Sequence, residues 1–178
     1  TTGIQFKRLP PSTAEFYIDN ISIKELKGNH AYQTTSASRP ILRQNASTGA
    51  YYLEFDGSDD FLQTNNINFT STDKVSLFAG VRKLSDAARG MILELSNTVV
   101  NNRAFSLEGS TNSVDFYVAQ SKGSVLSISS IIQPELKAPN NAVLTVKSSI
   151  STDYLLLKAN KHQTISLMDQ GTGNYGNY

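Results

Sequence analysis

The sequence predicts an all-β protein, an antiparallel sandwich of two sheets. Three observations carry that reading. Short apolar runs with a period of two recur at intervals of roughly ten residues, Asn, Gly, Ser and Pro separate them, and almost no stretch has the period of an amphipathic helix.

The elements follow in chain order. Glu15 to Leu26 sets Ile21 and Ile23 at period two, with Asp19-Asn20 as a bulge between two apolar pairs, and predicts a strand. Tyr51 to Phe55 is an aromatic-rich run suited to a pleated surface, and Asp56-Gly57 is a strong turn signal before Phe61-Leu62. Lys74 to Arg82 places Val75, Leu77, Ala79 and Val81 on one face, the pattern of a strand buried on one side. Further strands are expected at Met91 to Leu95, Arg103 to Leu107, Val114 to Val118, Val125 to Ser129, Val143 to Val146, Tyr154 to Leu157 and Thr164 to Met168. One helical turn is expected at Ser85 to Arg89, capped by Ser85 and closed by Gly90. Alternation then predicts core positions at Phe55, Val75, Leu77, Ala79, Val81, Phe105, Phe116, Val118, Leu144, Val146, Leu155, Leu157, Ile165 and Leu167. A one-residue error in register would expose Leu77 and bury Phe78.

Composition narrows the classes of function. The 178 residues suffice for one main sandwich domain. Charged residues are 17% of the chain and the net charge is +1, so no broad field gathers nucleic acid or an anionic membrane, and neither partner is expected. Cysteine is absent, which removes disulfides, thiolate zinc sites and cysteine nucleophiles together. No apolar run approaches the ~20 residues of a membrane-spanning helix, and membrane insertion is not expected. The sequons at Asn20, Asn45 and Asn68 carry little information in a chain this rich in Ser and Thr.

One stretch is more specific. Gln33-Thr-Thr-Ser-Ala-Ser38 precedes Arg39-Pro40-Ile41-Leu42, and Tyr51-Tyr-Leu-Glu-Phe-Asp-Gly-Ser-Asp-Asp-Phe-Leu62 follows about ten residues later. In this form it resembles the entry to a laminin-G-like, concanavalin A-like sandwich module of the kind found on bacteriophage tail fibres and other virion appendages. The resemblance spans roughly Asn29 to the C-terminus. It implies an antiparallel two-sheet jelly roll and an external virion setting. Residues 1–27 resemble the closing strand of an upstream carbohydrate-binding-like jelly roll with a linker, so the expected division is 1–27 and 28–178. The turn-rich end Gly173 to Tyr178 reads as a sandwich still short of a closing strand. The expectation is therefore an incomplete fragment whose missing strands come from the same polypeptide or from symmetry copies.

Chemistry at this stretch has two readings besides turn-building. Glu54-Phe-Asp56-Gly-Ser-Asp59 resembles the Glu-x-Asp-x-x-Glu strand of glucanases with the same architecture, where two carboxylates on one face stand about 5 Å apart. Period two places Glu54 and Asp56 on one face, but Gly57-Ser58 interrupts the strand, Asp replaces the third acid, and no tryptophan exists to stack on sugar. Calcium is the other reading, with Asp56, Asp59, Asp60 and Asp73 as hard oxygen donors, although no EF-hand-like spacing supports it. The simplest role for the aspartates is to accept backbone amides. His30 and His162 have no partner at a recognised spacing, and no glycine precedes a helix as a phosphate cradle would require.

The resulting expectation is a non-enzymatic structural and host-glycan-recognition module of a phage tail fibre or spike. No catalytic residue, metal or cofactor is assigned. Its partners would be other virion subunits, a homo-oligomer such as a trimer, and host-surface saccharide met by polar loops at Asn97 to Asn102, Gly109 to Ser113 and Gly171 to Tyr178. The alternatives are a purely architectural virion decoration and a glycan depolymerase using Glu54 and Asp56.

Overall fold

A computed structural model describes residues 27–96, 104–110 and 116–177. They form twelve strands: β1 (Ile41–Gln44), β2 (Tyr51–Glu54), β3 (Asn68–Phe69), β4 (Lys74–Arg82), β5 (Gly90–Leu95), β6 (Phe105–Gly109), β7 (Tyr117–Lys122), β8 (Leu126–Ile131), β9 (Asn141–Ser149), β10 (Tyr154–Ala159), β11 (His162–Ser166) and β12 (Gly176–Asn177). Every pairing is antiparallel. One four-stranded sheet has the order β11-β10-β9-β4 and the other β5-β6-β7-β8, while β1-β2 and β12-β3 are two-stranded. The two large sheets pack face to face, β10 against β7 and β8, and β11 against β8, which makes the protein an all-β sandwich. The strand expected over Glu15 to Leu26 lies outside the described residues, as do most of the loops at 97–103 and 111–115.

Period two sets the core. On β4, Val75, Leu77, Ala79 and Val81 pack against the buried cluster, while Phe78 stands 69% exposed, so the expected register holds. Opposite β4, the inward side of β9 contributes Ala142, Leu144, Val146 and Ser148, and β10 contributes Leu155, Leu157 and Ala159. The facing sheet supplies Phe105, Leu107, Tyr117, Ala119 and Ile131. Burying each large side chain contributes about 1.5–3 kcal/mol, which is where a chain without disulfides must find its stability. Phe116, also expected inside, joins the core cluster, but Val118 does not: the β6–β7 register sets Ala119 beside Leu107 and Ser121 beside Phe105 on the inward face, so Val118 is buried on the opposite side of its sheet.

Several expectations are corrected. Ile165 and Leu167 are exposed, because the β10–β11 register pairs Leu157 with Thr164 and Leu155 with Ser166. The inward side of β11 is therefore polar: His162, Thr164 and Ser166 point in, and Ser166 meets Ser127 of β8 across the sandwich, their hydroxyls 3.0 Å apart. Phe55 is also exposed, since it lies one residue beyond β2 on a hairpin that contributes nothing to the core cluster. Residues 85–89 form bends rather than a helical turn. Ser85 does accept the Ala87 N–H at 3.0 Å, but the Asp86 side chain is drawn away to Lys83 and to the Ala138 N–H.

The C-terminal segment is anchored. Gly176 and Asn177 pair with Phe69 and Asn68, and Tyr175 is fully buried with its ring edge-on to Phe105, centroids 6.2 Å apart. Within the segment expected as a polar loop, Thr172, Gly173 and Asn174 are exposed, whereas Tyr175 is drawn inside. The Tyr175 hydroxyl joins Ser121 of β7, Ser148 of β9 and Gln170 in a buried network. Ser121 donates to Gln170 Oε1 at 2.6 Å while the Ser148 hydroxyl donates to Ser121 at 2.7 Å, so each polar side chain of this group has a partner.

Candidate functional site

The stretch from Gln33 to Leu62 folds onto itself. A β1–β2 hairpin pairs Ile41 with Glu54 and Gln44 with Tyr51, and Asn45 closes its loop by accepting the Ser47 and Thr48 amides at 2.9 and 3.1 Å. Ahead of the hairpin, the Arg39 guanidinium donates to the carbonyls of Gln33 and Thr34 at 2.7 and 3.0 Å, which holds the Thr/Ser run in place. Ser38, buried within that run, donates its hydroxyl to Asp59 at 2.7 Å, and its carbonyl accepts the Phe61 amide at 3.2 Å. Sequence reasoning missed these joins. Only the Asp56-Gly57 turn was visible from spacing, because the Ser38–Asp59 bond spans 21 residues.

The acidic turn is built around Asp56. Its Oδ1 accepts the amides of Ser58, Asp59 and Asp60 at 2.8, 3.3 and 3.4 Å, and Asp60 returns the bond by accepting the Asp56 amide at 2.8 Å. Gly57 sits at φ 78°, a left-handed conformation that glycine adopts without strain. The Ser58 amide first, then those of Asp59 and Asp60, hold the Asp56 carboxyl below its ordinary pKa against a modest opposing desolvation. That is the direction opposite to a glycosidase acid, which needs its proton at neutral pH. Glu54 meanwhile pairs with Arg43 at 3.3 Å, with both side chains well exposed.

Asp56, Asp59 and Asp60 bring one carboxylate oxygen each within 4.8 Å of the others. Calcium takes six to eight oxygens. Three monodentate carboxylates fall short of that number, and amides or the Ser38 hydroxyl already engage one oxygen of each. Asp73, the fourth candidate donor, is committed elsewhere: it accepts the Ser151 amide at 3.1 Å, and the Ser151 side chain and amide hold its pKa down. Asp56 and Asp60 shape the turn, while Asp59 and Asp73 each hold a residue distant in sequence, Ser38 and Ser151.

The hairpin is also apolar and uncovered. Leu42, Leu53 and Tyr51 share one face and are exposed, as are Ile41 and Tyr52 on the other. A groove of mixed polarity lies at the sandwich edge, open and of about 460 Å³, between β8 and β11, lined by Ile128, Ser130, Thr164, Ile165, Leu167 and Met168. Among the described residues no titratable side chain lines it.

Three other groups show how charge is managed. His162 bonds Glu135 at 2.5 Å, a partner that spacing did not reveal, while His30 is exposed. Lys83 and Asp86 form a buried pair at 2.5 Å; Lys83 also donates to the Phe116 carbonyl at 3.0 Å and lies 4.9 Å from the Tyr117 ring centroid. Gly109 makes room for it, since a Cβ there would come within 2.8 Å of the Lys83 chain. Burial raises the Asp86 pKa, but Lys83 and the Ala138 amide outweigh it and hold the carboxyl below its ordinary value. Burial, and then the Asp86 charge, push the Tyr117 phenol up to about 12.

Comparison with known proteins adds no relative. No family model matches the chain, no curated protein matches it, and no solved structure matches its fold.

Proposed function

We propose that this chain is a non-enzymatic module of a bacteriophage virion appendage, a tail fibre or spike, which presents a rigid β-sandwich outward for recognition of host-surface glycan. The observation that carries the reading is the use made of the Gln33 to Leu62 residues. The polar groups through which this stretch resembles virion modules (Ser38, Arg39, Asp56, Asp59 and Asp60) bind one another and the local backbone, so the motif works as a structural joint. That favours display over chemistry. Asp56, whose Oδ1 is engaged by three amides and whose carboxyl is held ionised, makes a poor acid, and Glu54 is tied to Arg43, which argues against the depolymerase alternative.

A purely architectural role is the second reading, favoured by the exposed apolar hairpin face of Leu42, Tyr51 and Leu53, which suits contact with another subunit. A glycan array probed with the full-length appendage separates the two. Binding to a host-surface saccharide supports recognition; an array with no binder leaves the architectural role. Reducing-end release from host polysaccharide that disappears in Glu54→Gln would overturn the non-enzymatic reading.

A further inference from the structure

We infer that the outer face of the β4–β9–β10–β11 sheet binds an acidic polysaccharide along a diagonal of three lysines, Lys74, Lys147 and Lys158. The inference rests on the glycan-recognition reading and names the class of glycan. Its basis is strand register. Ser76 pairs with Lys147 on β9, so Lys74, two residues before Ser76 on β4, is a diagonal neighbour of Lys147. Lys147 in turn pairs with Leu156 of β10, and Lys158 lies two residues further along the same diagonal. Diagonal neighbours on one sheet face stand about 7–8 Å apart, so the three lysine positions form an evenly stepped row across three strands. All three lysines are exposed, and none forms an ion pair with a described residue.

The face is one-signed. The outward positions of these four strands carry no carboxylate, and Arg82 at the far end of β4 is a fourth cation. The acids at the rim hydrogen-bond other partners: Asp73 the Ser151 amide, although its charge is also felt by Lys74, Asp153 the Gln170 amide at 2.8 Å, and Glu135 His162. For a chain of net charge +1, this is a local concentration of cations that composition conceals.

Phe78 decides the kind of anion. It stands one diagonal step from Lys147 and is 69% exposed, with no core role on this side of the sheet. Ser76 and Thr145 lie between the cations. An aromatic face, hydroxyls and spaced ammonium groups together match a sugar polymer, whose ring presents C–H groups to Phe78, hydroxyls to Ser and Thr, and carboxylates or sulfates to lysine. A nucleic-acid strand has a phosphate every ~3.4 Å along its axis, a charge density that three lysines at about 8 Å would leave mostly unneutralised. A polysaccharide with one acid per one or two sugars has sparser charge and fits the row better.

The test measures binding of the full chain to polygalacturonate, dextran sulfate, unmodified dextran and a single-stranded oligonucleotide, at low and moderate salt. The expected result is binding to at least one of the two acidic polysaccharides, weakening as salt rises, and reduced on the order of tenfold in K74Q/K147Q/K158Q. Phe78→Ser should also weaken binding without lowering thermal stability, since the side chain is outside the core. A control that removes three cations elsewhere, R43Q/K137Q/K161Q, should bind nearly as the parent does. Equal loss in that control, unchanged binding in the triple lysine variant, or tighter binding of the oligonucleotide would each overturn the inference. Equal binding of unmodified dextran, or a host-glycan array hit that is neutral and indifferent to the lysines, would overturn it while leaving glycan recognition standing. If no polysaccharide on the array or in solution binds, both readings fall.

Discussion

The hydroxyls of Ser121 and Tyr175 lie 3.0 Å apart in the interior of the sandwich, and this contact ties the C-terminal segment to both sheets. Ser121 belongs to β7; its other partner, Ser148, belongs to β9 of the facing sheet, and Gln170 closes the group. Burial raises the Tyr175 pKa, against the lowering effect of Ser121 and Ser148, so the phenol stays protonated as a donor. Tyr175→Phe keeps the ring against Phe105 and removes only the hydroxyl. The expected cost is about 1 kcal/mol in equilibrium denaturation, because Ser121 loses one of its two donors in a buried setting and keeps the Ser148 hydroxyl. Ser121→Ala should cost at least as much, since it removes the hydroxyl that Tyr175, Ser148 and Gln170 share and leaves only the weaker Ser148–Gln170 contact at 3.3 Å.

The Lys83–Asp86 pair makes stability depend on acid. The folded-state pKa of Asp86 lies below its ordinary value of 3.8, so the unfolded chain takes up the proton first as pH falls. The stabilisation from Asp86 is therefore fully present above about 4 and declines progressively below it. Asp86→Ala leaves Lys83 enclosed without its counter-ion and should cost about 3 kcal/mol at neutral pH. A Lys83→Met/Asp86→Leu double variant should retain more stability than either single change. Urea denaturation at several pH values checks both statements.

Tyr117 gives the opposite, alkaline limit. Its phenol ionises only near about 12 in the folded state, whereas an unfolded tyrosine ionises near 10. A raised pKa means that the unfolded chain loses the proton first as pH rises, so this contribution is complete below about 10 and disappears between about 10 and 12. The window is worth on the order of 2–3 kcal/mol. Among the described residues the hydroxyl also has no hydrogen-bond partner. Tyr117→Phe should thus be neutral or slightly stabilising at pH 7 and should flatten the alkaline loss, read by near-ultraviolet titration beside thermal unfolding.

Much of the fold was legible in the sequence where one physical cause acted alone. The Val75, Leu77, Ala79, Val81 alternation fixed the inward face of β4, because apolar side chains had one side of a sheet to occupy. β11 misled because its apolar residues face outward. There Ile165 and Leu167 yield to the β10 pairing, which turns Thr164 and Ser166 inward, and Asn160 enforces that pairing at φ 52° while bonding Val143 and Asn141. The buried role of Tyr175 was illegible for a different reason, since its partner Ser121 is 54 residues away. At the candidate site, the local Asp56 turn was readable and the long-range Ser38–Asp59 bond was not. The Lys74, Lys147, Lys158 row required the register of three strands, which no linear spacing contains.

The acidic turn yields the last prediction. If Asp56 and Asp59 act as a joint between the Thr/Ser run and the hairpin, then removing them should loosen that region and leave the sandwich intact. Asp56→Ala deprives three amides of one acceptor, and Asp59→Ala frees the Ser38 hydroxyl. Both variants should show faster amide exchange and easier proteolysis around residues 33–38 and 56–61, with unchanged protection in β9 and β10, whose bonds are remote from the turn. Asp59→Asn, which keeps an oxygen acceptor for Ser38, should preserve most of the protection. Calcium should add little to the parent protein, because amides already occupy the oxygens that fix the turn. A large calcium-dependent gain in protection at residues 56–60, abolished by Asp60→Asn, would show that the aspartates hold an ion and that the amide contacts are only their resting arrangement.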